Sequence, residues 1–248
     1  MVSEIFYTVF YNPIYNVLVA LMAWMPGGDV GIAVILLTVL IRLALLPFSL
    51  SVAHNQRAMR ALEPKLQELK EKHKDNKEEH ARKTLELYKT EGVNPFSGIL
   101  MVFIQLPVLL ALYWVFMEPF SSIDLPRLYS FTPIPDAVSG SFLQLIDLAS
   151  KSIVLAFLAG VTQYVQAVFA LSGAQKNTGT GMQADFARAM NVQMRYVFPV
   201  LIATIAYTTS AAIALYFVTT NIAGAVQEWY VKRKFREADK LLAEAQSS

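Results

Sequence analysis

Arg42 lies near the middle of an otherwise uncharged apolar run, Val30 to Leu50. A run of that length can span a bilayer as a helix. A guanidinium at mid-helix costs about 2.5–3.5 kcal/mol on insertion scales, so it is kept where it meets water, a partner or a substrate. The competing reading, a side chain that snorkels to an interface, fits poorly with position 42 of a run from 30 to 50. No other charged residue falls inside this run or inside the uncharged runs that form the spans below, so those runs offer no intramembrane counter-ion. The other hydrogen-bonding groups of the spans are neutral: Thr38, Gln105, Thr162, Gln163, Gln166, Tyr207, Tyr216, Thr219, Thr220 and Asn221. Gln163 and Gln166 are three apart and share a helical face. Such groups often do no more than bond between helices. Together with Arg42 they point to a wet cavity lined by several helices.

Several chemistries are missing. No His, Cys, Asp or Glu lies within the uncharged runs that form the spans, and a proton relay or a buried zinc protease needs such groups. No Gly-rich phosphate loop occurs, which argues against nucleotide-driven transport by this chain. Ser152, Ser172 and Ser210 have no base near them in sequence, as a serine nucleophile requires. The absence of cysteine excludes disulfides, thiol catalysis and a lipoprotein anchor on this chain. The expectation is a protein that is not an enzyme and uses no cofactor or metal.

The elements that must position Arg42 follow from hydropathy. Of the 248 residues, 55% are hydrophobic and 16% charged, with mean hydropathy +0.42. Soluble domains carry about 25% charged residues, so this is a polytopic membrane protein. Beyond 30–50, the uncharged stretches Phe96–Met117 and Ser152–Leu171 each match one span. The last run, Tyr196 to Gln227, has 32 uncharged residues. As one helix it would reach about 48 Å, against a hydrocarbon core of about 30 Å. It should fold back at the polar Tyr207-Thr208-Thr209-Ser210. The expected spans are 30–50, 95–117, 151–171, 193–208 and 211–231, five in all. The segments 51–91, 172–195 and 232–248 hold ten, three and five Lys and Arg, 18 of the chain's 21. By the positive-inside rule the N-terminus is outside and the C-terminus cytoplasmic. Residues 118–150 form the extracytoplasmic loop, 172–192 a cytoplasmic loop and 232–248 a cytoplasmic tail.

Two segments outside the spans have amphipathic patterns. In 4–25, Glu4, Thr8, Asn12 and Asn16 recur on one side, with Phe6, Phe10, Ile14, Val17, Leu21 and Trp24 opposite. Residues 1–29 are therefore expected to lie along the outer interface, interrupted at Pro13 and turned into the first span by Pro26-Gly27-Gly28-Asp29. No Lys or Arg precedes the apolar stretch, so it lacks the basic start of a signal peptide. In 51–91, ten basic and eight acidic residues accompany two apolar stripes, Ala58-Leu62-Leu66-Leu69 and Ala81-Leu85-Tyr88. The pattern predicts an antiparallel helical hairpin, bent at Pro64 and laced with i,i+4 charge pairs. His54, His73 and His80 all lie here without metal spacing and are expected in solvent.

Several stretches combine. Thr38-x-x-Ile41-Arg42-x-x-x-x-Pro47 is followed by Leu62-Glu63-Pro64-Lys65-Leu66-Gln67. Then come Leu87-Tyr88-Lys89-x-Glu91-x-Val93-Asn94-Pro95, Ile104-Gln105-Leu106-Pro107-x-x-x-Ala111-Leu112-Tyr113, and Leu215-Tyr216-Phe217-x-x-x-Asn221 before Gln227. Over about residues 30–232 this resembles the YidC family of membrane protein insertases, the bacterial branch of the Oxa/Alb superfamily. The resemblance implies an all-α protein with five transmembrane helices around a hydrophilic groove. That groove is open to the cytoplasm and to lipid and closed toward the outside. It also implies the short form, without a large extracytoplasmic domain before the first span.

On the family pattern Arg42 is the groove arginine, with Gln105 and either Gln163 or Gln166 as polar neighbours; Gln166 fits slightly better. Tyr216 and Phe217 fall where an aromatic pair meets the substrate, and Phe217 would supply packing rather than a hydrogen bond. The implied function is a membrane protein insertase in the bacterial cell membrane. Its partners would be nascent membrane proteins and the lipid bilayer, with the ribosome and the general translocon beside them, and no nucleotide. The basic cluster Lys232-Arg233-Lys234-Phe235-Arg236 fits ribosomal RNA or, better, anionic lipid. Two rival classes remain: a carrier in which Arg42 selects an anion, and a purely structural partner of a translocon.

Overall fold

The computed structural model describes residues 2–74, 76–94, 97–118, 120, 123–171, 189 and 191–247. Most of the expected loop 172–192 lies outside the described residues. The chain divides into two compact units, residues 1–43 with 108–248, and residues 44–107.

The first unit begins with helix α1 (Val2–Phe6), which runs through a π-helical segment, Tyr7–Tyr11, into α2 (Asn12–Trp24). Pro13 stands in the first turn of α2, where its missing N–H costs nothing. Tyr11, Ile14, Tyr15, Leu18, Val19, Leu21 and Met22 are buried in the hydrophobic core. Glu4–Trp24 is long and apolar enough to cross a membrane. The polar side of this helix is exposed at Glu4 and Thr8 but closes over at Asn16. Asn16 is only 4% exposed because its amide is used up by the loop that follows the second apolar span. Its Nδ2 donates to the Asn12 and Arg127 carbonyls at 2.8 and 3.0 Å. Its Oδ1 accepts from Tyr129 N–H and the Thr132 hydroxyl, both at 2.7 Å. Val17 and Trp24, placed by periodicity on the apolar side, are exposed.

Pro26–Gly28 forms a single 3-10 turn. Gly28 has φ +63°, and a Cβ there would stand 1.9 Å from the Ala137 carbonyl oxygen, so only glycine fits. Asp29 then starts α3 (Val30–Ala44) as its N-cap, Oδ1 accepting from Ile32 N–H at 2.9 Å. Its Oδ2 accepts from Leu143 N–H at 2.7 Å. Leu143 and Gln144 form the left-handed turn, φ 51° and 58°, between β1 (Ser141–Phe142) and β2 (Ile146–Asp147). The loop is anchored further by Val30 N–H to Ser139 O, Ser139 N–H to Gly28 O, and Ala211 and Ala212 N–H to Ser150 and Leu148 O. Arg127 pairs with Asp124 and stands over the rings of Tyr7 and Tyr11 at 5.2 and 5.1 Å. The 123–150 loop is therefore packed and hydrogen-bonded, with a two-stranded ribbon that leaves the fold all-α in class.

The core continues through the 108–117 part of α7 (Ser97–Met117), where Val108, Ala111, Leu112, Val115 and Phe116 are buried. Helix α8 (Ile153–Leu171) packs on both α9 (Phe198–Thr208) and α10 (Ala211–Ser247). Small residues let them approach: Ala156, Ala159 and Ala167 of α8 are buried, and so are Ala211, Ala212 and Ala214 of α10. The opposite side of α8 leaves Ile153, Val154, Phe157, Val161 and Val165 exposed. In water such a face would be an aggregation hazard, whereas in a membrane it meets lipid. A π-helical turn, Gln193–Val197, leads into α9, and the chain breaks at Thr209 and Ser210 before α10. Helix α10 runs on through the basic cluster to Ser247.

The second unit holds α4 (Leu46–Ala61), α5 (Glu63–Lys72) and α6 (Lys77–Thr90). Pro64 does not bend a helix; it starts α5, in the first turn after a break at Leu62. Helices α5 and α6 touch, with Lys65 and Glu91 paired at 2.5 Å at one end and the short link at 73–76 at the other. Asn76 caps α6 through Glu79 N–H at 3.0 Å. Two ion pairs within α6, Glu79–Arg82 and Lys83–Glu86, are spaced i,i+3. The Lys83 ammonium, bonded to Glu86, holds that carboxyl below its usual range. The inward stripe of α6 also differs from the expected one. Ala81 and Leu85 are exposed, while His80, Thr84, Leu87 and Tyr88 are half-buried. His73 is half-buried as well, and only His54 is exposed. Asn55 clasps the backbone of Asn94, donating to its carbonyl at 2.5 Å and accepting from its N–H at 3.1 Å. The clasp borders a cavity of about 350 Å³ lined by Phe48, Ser51, His54, Gly92 and Ile104 among others.

Among the described residues, two helices, Glu4–Trp24 and Ile153–Leu171, are each long and apolar enough to cross a membrane, and α3 with α4 as one broken span would make a third. The chain is an all-α membrane protein.

Candidate functional site

Arg42 stands in the last turn of α3, one helical turn beyond the fully buried Thr38. Thr38 spends its hydroxyl on the Val34 carbonyl at 2.7 Å. Arg42 is half-buried and meets α10: its Nε donates to the Thr220 hydroxyl oxygen at 2.9 Å. One turn further along α10, Gly224 opens a slot. The position a Cβ on Gly224 would take has Gln166 Nε2 2.2 Å away and Arg42 Nη2 3.5 Å away. Three helices thus bring a guanidinium, a carboxamide and a hydroxyl around one glycine. Beside them Asn221, 2% exposed, donates to the Ala159 carbonyl and to the Thr162 hydroxyl, both at 3.2 Å. That buried amide fixes the register of α10 on α8, and with it the height of Thr220 and Gly224 against Arg42 and Gln166.

The other candidate residues fall in different places. Gln163 is half-buried on α8, but Gln166 is the residue that reaches the Gly224 slot. Gln105 is half-buried on α7 within the 44–107 unit. Tyr216 and Phe217 are buried, at 4% and 7% exposure, inside the core cluster. Their rings lie 5.5 Å apart, and Tyr216 sits 6.4 Å from Phe116. In this state they act as packing groups of the bundle rather than as a presented aromatic pair. Gly224 was not singled out by sequence, where it reads as one more small residue in an apolar helix. Its signal would have been its place one turn after Thr220, facing the glutamine of another span.

Chemically the cluster offers hydrogen-bond donors and one positive charge at the inner side of a helix bundle. Such an arrangement can bind and orient polar or acidic groups. Among the described residues no group of three or more His, Cys, Asp or Glu is placed to hold a metal ion.

The fold and the cluster define a class: an all-α membrane protein with a basic, amide-bearing site among its apolar helices. The sequence profile of the family described as 60Kd inner membrane protein matches residues 21–238. The chain belongs to that family, the YidC/Oxa1 family. It is similar to the Membrane protein insertase YidC of Fusobacterium nucleatum, 30% identical over 227 residues that cover 89% of this chain and 98% of the relative. It is also similar to the proteins of that name from Ectopseudomonas mendocina and Legionella pneumophila strain Corby. These are 31% identical over 215 residues (86% of this chain) and 32% identical over 221 residues (88% of this chain). The chain spans about a third of the length of these two, 32% and 35%. The relatives and the apolar helices make it a bacterial inner membrane protein.

Proposed function

We propose that the chain is a membrane protein insertase that receives short nascent membrane proteins in a positively charged intramembrane groove and releases them sideways into the bilayer. The observation that carries this reading is the convergence of Arg42, Gln166 and Thr220 around Gly224. A polar or acidic segment of a substrate loses most of its hydration on entering hydrocarbon, at a cost of several kcal/mol when unpaired. Donors and water partway across lower that cost, while the substrate's apolar helix stays in lipid. The exposed apolar side of α8 is suited to that slide. The 16-residue stretch from the π turn through α9, Gln193–Thr208, is about 24 Å long as a helix. Such a short span favours local thinning of the bilayer.

The groove opens to the cytoplasm and is closed outside, which the ladder between Gly28–Val30, Ser139, Leu148–Ser150 and α10 supports. That packing disfavours an anion carrier, which needs an outer gate. In this reading five helices surround the groove, the charged α5–α6 pair is a cytoplasmic hairpin, and residues 1–29 lie at the outer face. The N-terminus is outside and the C-terminus cytoplasmic, following the Lys and Arg distribution. Gln105, Gln163, Tyr216 and Phe217 line or border the path of the substrate. Tyr216 and Phe217 are reached when α7 and α10 part. The chain works without nucleotide or cofactor and catalyses no covalent step, driven by hydrophobic partitioning and the membrane potential. The ribosome and the general translocon are further partners. The test is reconstitution of the purified chain in liposomes with a single-span reporter bearing an acidic outer tail. Protease-protected tail above the level of empty liposomes is expected, and protection equal to empty liposomes would refute the reading.

A further inference from the structure

We infer that Gly224 is a positioning residue of the site, the missing side chain that lets the Gln166 amide cross onto α10 and stand beside the Arg42 guanidinium. The inference rests on the insertase reading for its functional consequence but not for its geometry. A Cβ on Gly224 would stand 2.2 Å from Gln166 Nε2 and 2.9 Å from its Cδ, closer than a methyl carbon approaches any atom it is not bonded to. The Arg42 Nη2 contact, 3.5 Å, is ordinary van der Waals separation. A single methyl group therefore evicts the carboxamide and leaves the guanidinium where it is. A longer side chain evicts both.

The eviction need not disturb the fold. The clashing atoms are the far end of a flexible glutamine, with no α8 or α3 backbone among them, and alanine favours a helix by comparison with glycine. Without Gln166 the site keeps its charge and its Thr220 bond but loses the directional donor on the opposite side of the slot. With both groups at one point, a substrate carbonyl or carboxylate can be held from α3 and α8 at once. With Gln166 displaced, only α3 holds it. The small residue thus sets how many helices grip a substrate, a property of the site distinct from its charge.

The test has a positional and a functional arm. In protein labelled with ¹⁵N-glutamine in detergent, the Gln166 side-chain amide pair is assigned by its loss in Gln166→Ala. In Gly224→Ala that pair is expected to shift more than any other glutamine side-chain pair. An unmoved Gln166 pair would overturn the inference whatever the chain does in insertion. In the liposome assay Gly224→Ala is expected to slow insertion of the acidic-tail reporter about threefold, the value of one intramembrane hydrogen bond. Gly224→Leu should slow it about tenfold, because it also displaces Arg42. Added to Gln166→Ala, the Gly224→Ala change should cost nothing more. A loss that persists in the Gln166→Ala background would mark a helix-packing role and overturn the inference. Failure of wild type to insert any reporter would overturn the insertase reading alone, since the amide shift is read without insertion.

Discussion

Replacing Asn16 by leucine should loosen the outer side of the molecule by a measurable amount. Leucine has the branched four-heavy-atom outline of asparagine's side chain, with bulkier ends, but none of its donors or acceptors. The substitution strands the Arg127 carbonyl, the Tyr129 N–H and the Thr132 hydroxyl of the loop, and frees the Asn12 carbonyl. The helical carbonyl of Asn12 keeps its ordinary helix partner, and Arg127 is half-exposed, so water can replace those two bonds. Thr132, 9% exposed, and Tyr129, half-buried, have less recourse. At about 1–3 kcal/mol for each stranded buried group, discounted for the water that reaches Tyr129, the change costs about 2–4 kcal/mol. For a chain of this size that lowers the melting temperature by about 4–16 °C. The assay is thermal unfolding in detergent, paired with limited proteolysis of the 123–150 loop, which should be cut faster. Asn12→Leu, which leaves the backbone carbonyl in place, serves as the control and should melt close to wild type. A melting temperature and a cleavage rate for Asn16→Leu equal to those of Asn12→Leu would refute the reasoning that this amide pins the loop.

Two other substitutions follow from the same accounting. Asp29→Ala removes the N-cap of α3 and the acceptor that holds Leu143 in its left-handed turn. With about 1 kcal/mol for the cap and about 1.5–3 for the charged bond, a loss of about 2–4 kcal/mol is expected in thermal unfolding. A melting temperature equal to wild type would contradict it. Asn55→Ala breaks both bonds of the clasp on Asn94. At about 0.5–1.5 kcal/mol each, about 1–3 kcal/mol together, local opening should rise about 5- to 150-fold, read as faster hydrogen exchange at the Asn94 amide; unchanged exchange there would show that the clasp carries no load.

What the sequence exposes and what it hides divide along physical lines. Arg42 announces itself, because a charge in hydrocarbon is expensive enough to need a reason. The polar Tyr207–Ser210 stretch coincides with the interruption between α9 and α10, because clustered hydroxyls weaken an apolar helix at that point. Pro64 is visible as a helix breaker, but whether it bends one helix or starts another depends on one residue of register. The burial of Asn16 is hidden, since periodicity sees a polar side chain and not the loop, more than a hundred residues away in sequence, that satisfies it. The stripe on α6 departs from its apolar pattern for a related reason: Leu85 is apolar but stays exposed, while His80 and Thr84 turn inward. Propensity cannot tell which side of a charged helix finds a partner. Gly224 was invisible because its contribution is empty space, which only the neighbours from α3 and α8 define.

The central claim is that the positive charge at Arg42 serves insertion, and it is tested most directly in cells depleted of their own insertase. Wild-type chain, Arg42→Lys and Arg42→Ala are expressed at matched levels with a single-span reporter bearing an acidic outer tail, and tail translocation is scored by protease accessibility. Wild type and the lysine variant are expected to translocate the tail, lysine less well because it lacks the fork that bonds Thr220, and the alanine variant is expected to fail. Translocation by Arg42→Ala at the wild-type level would contradict the account.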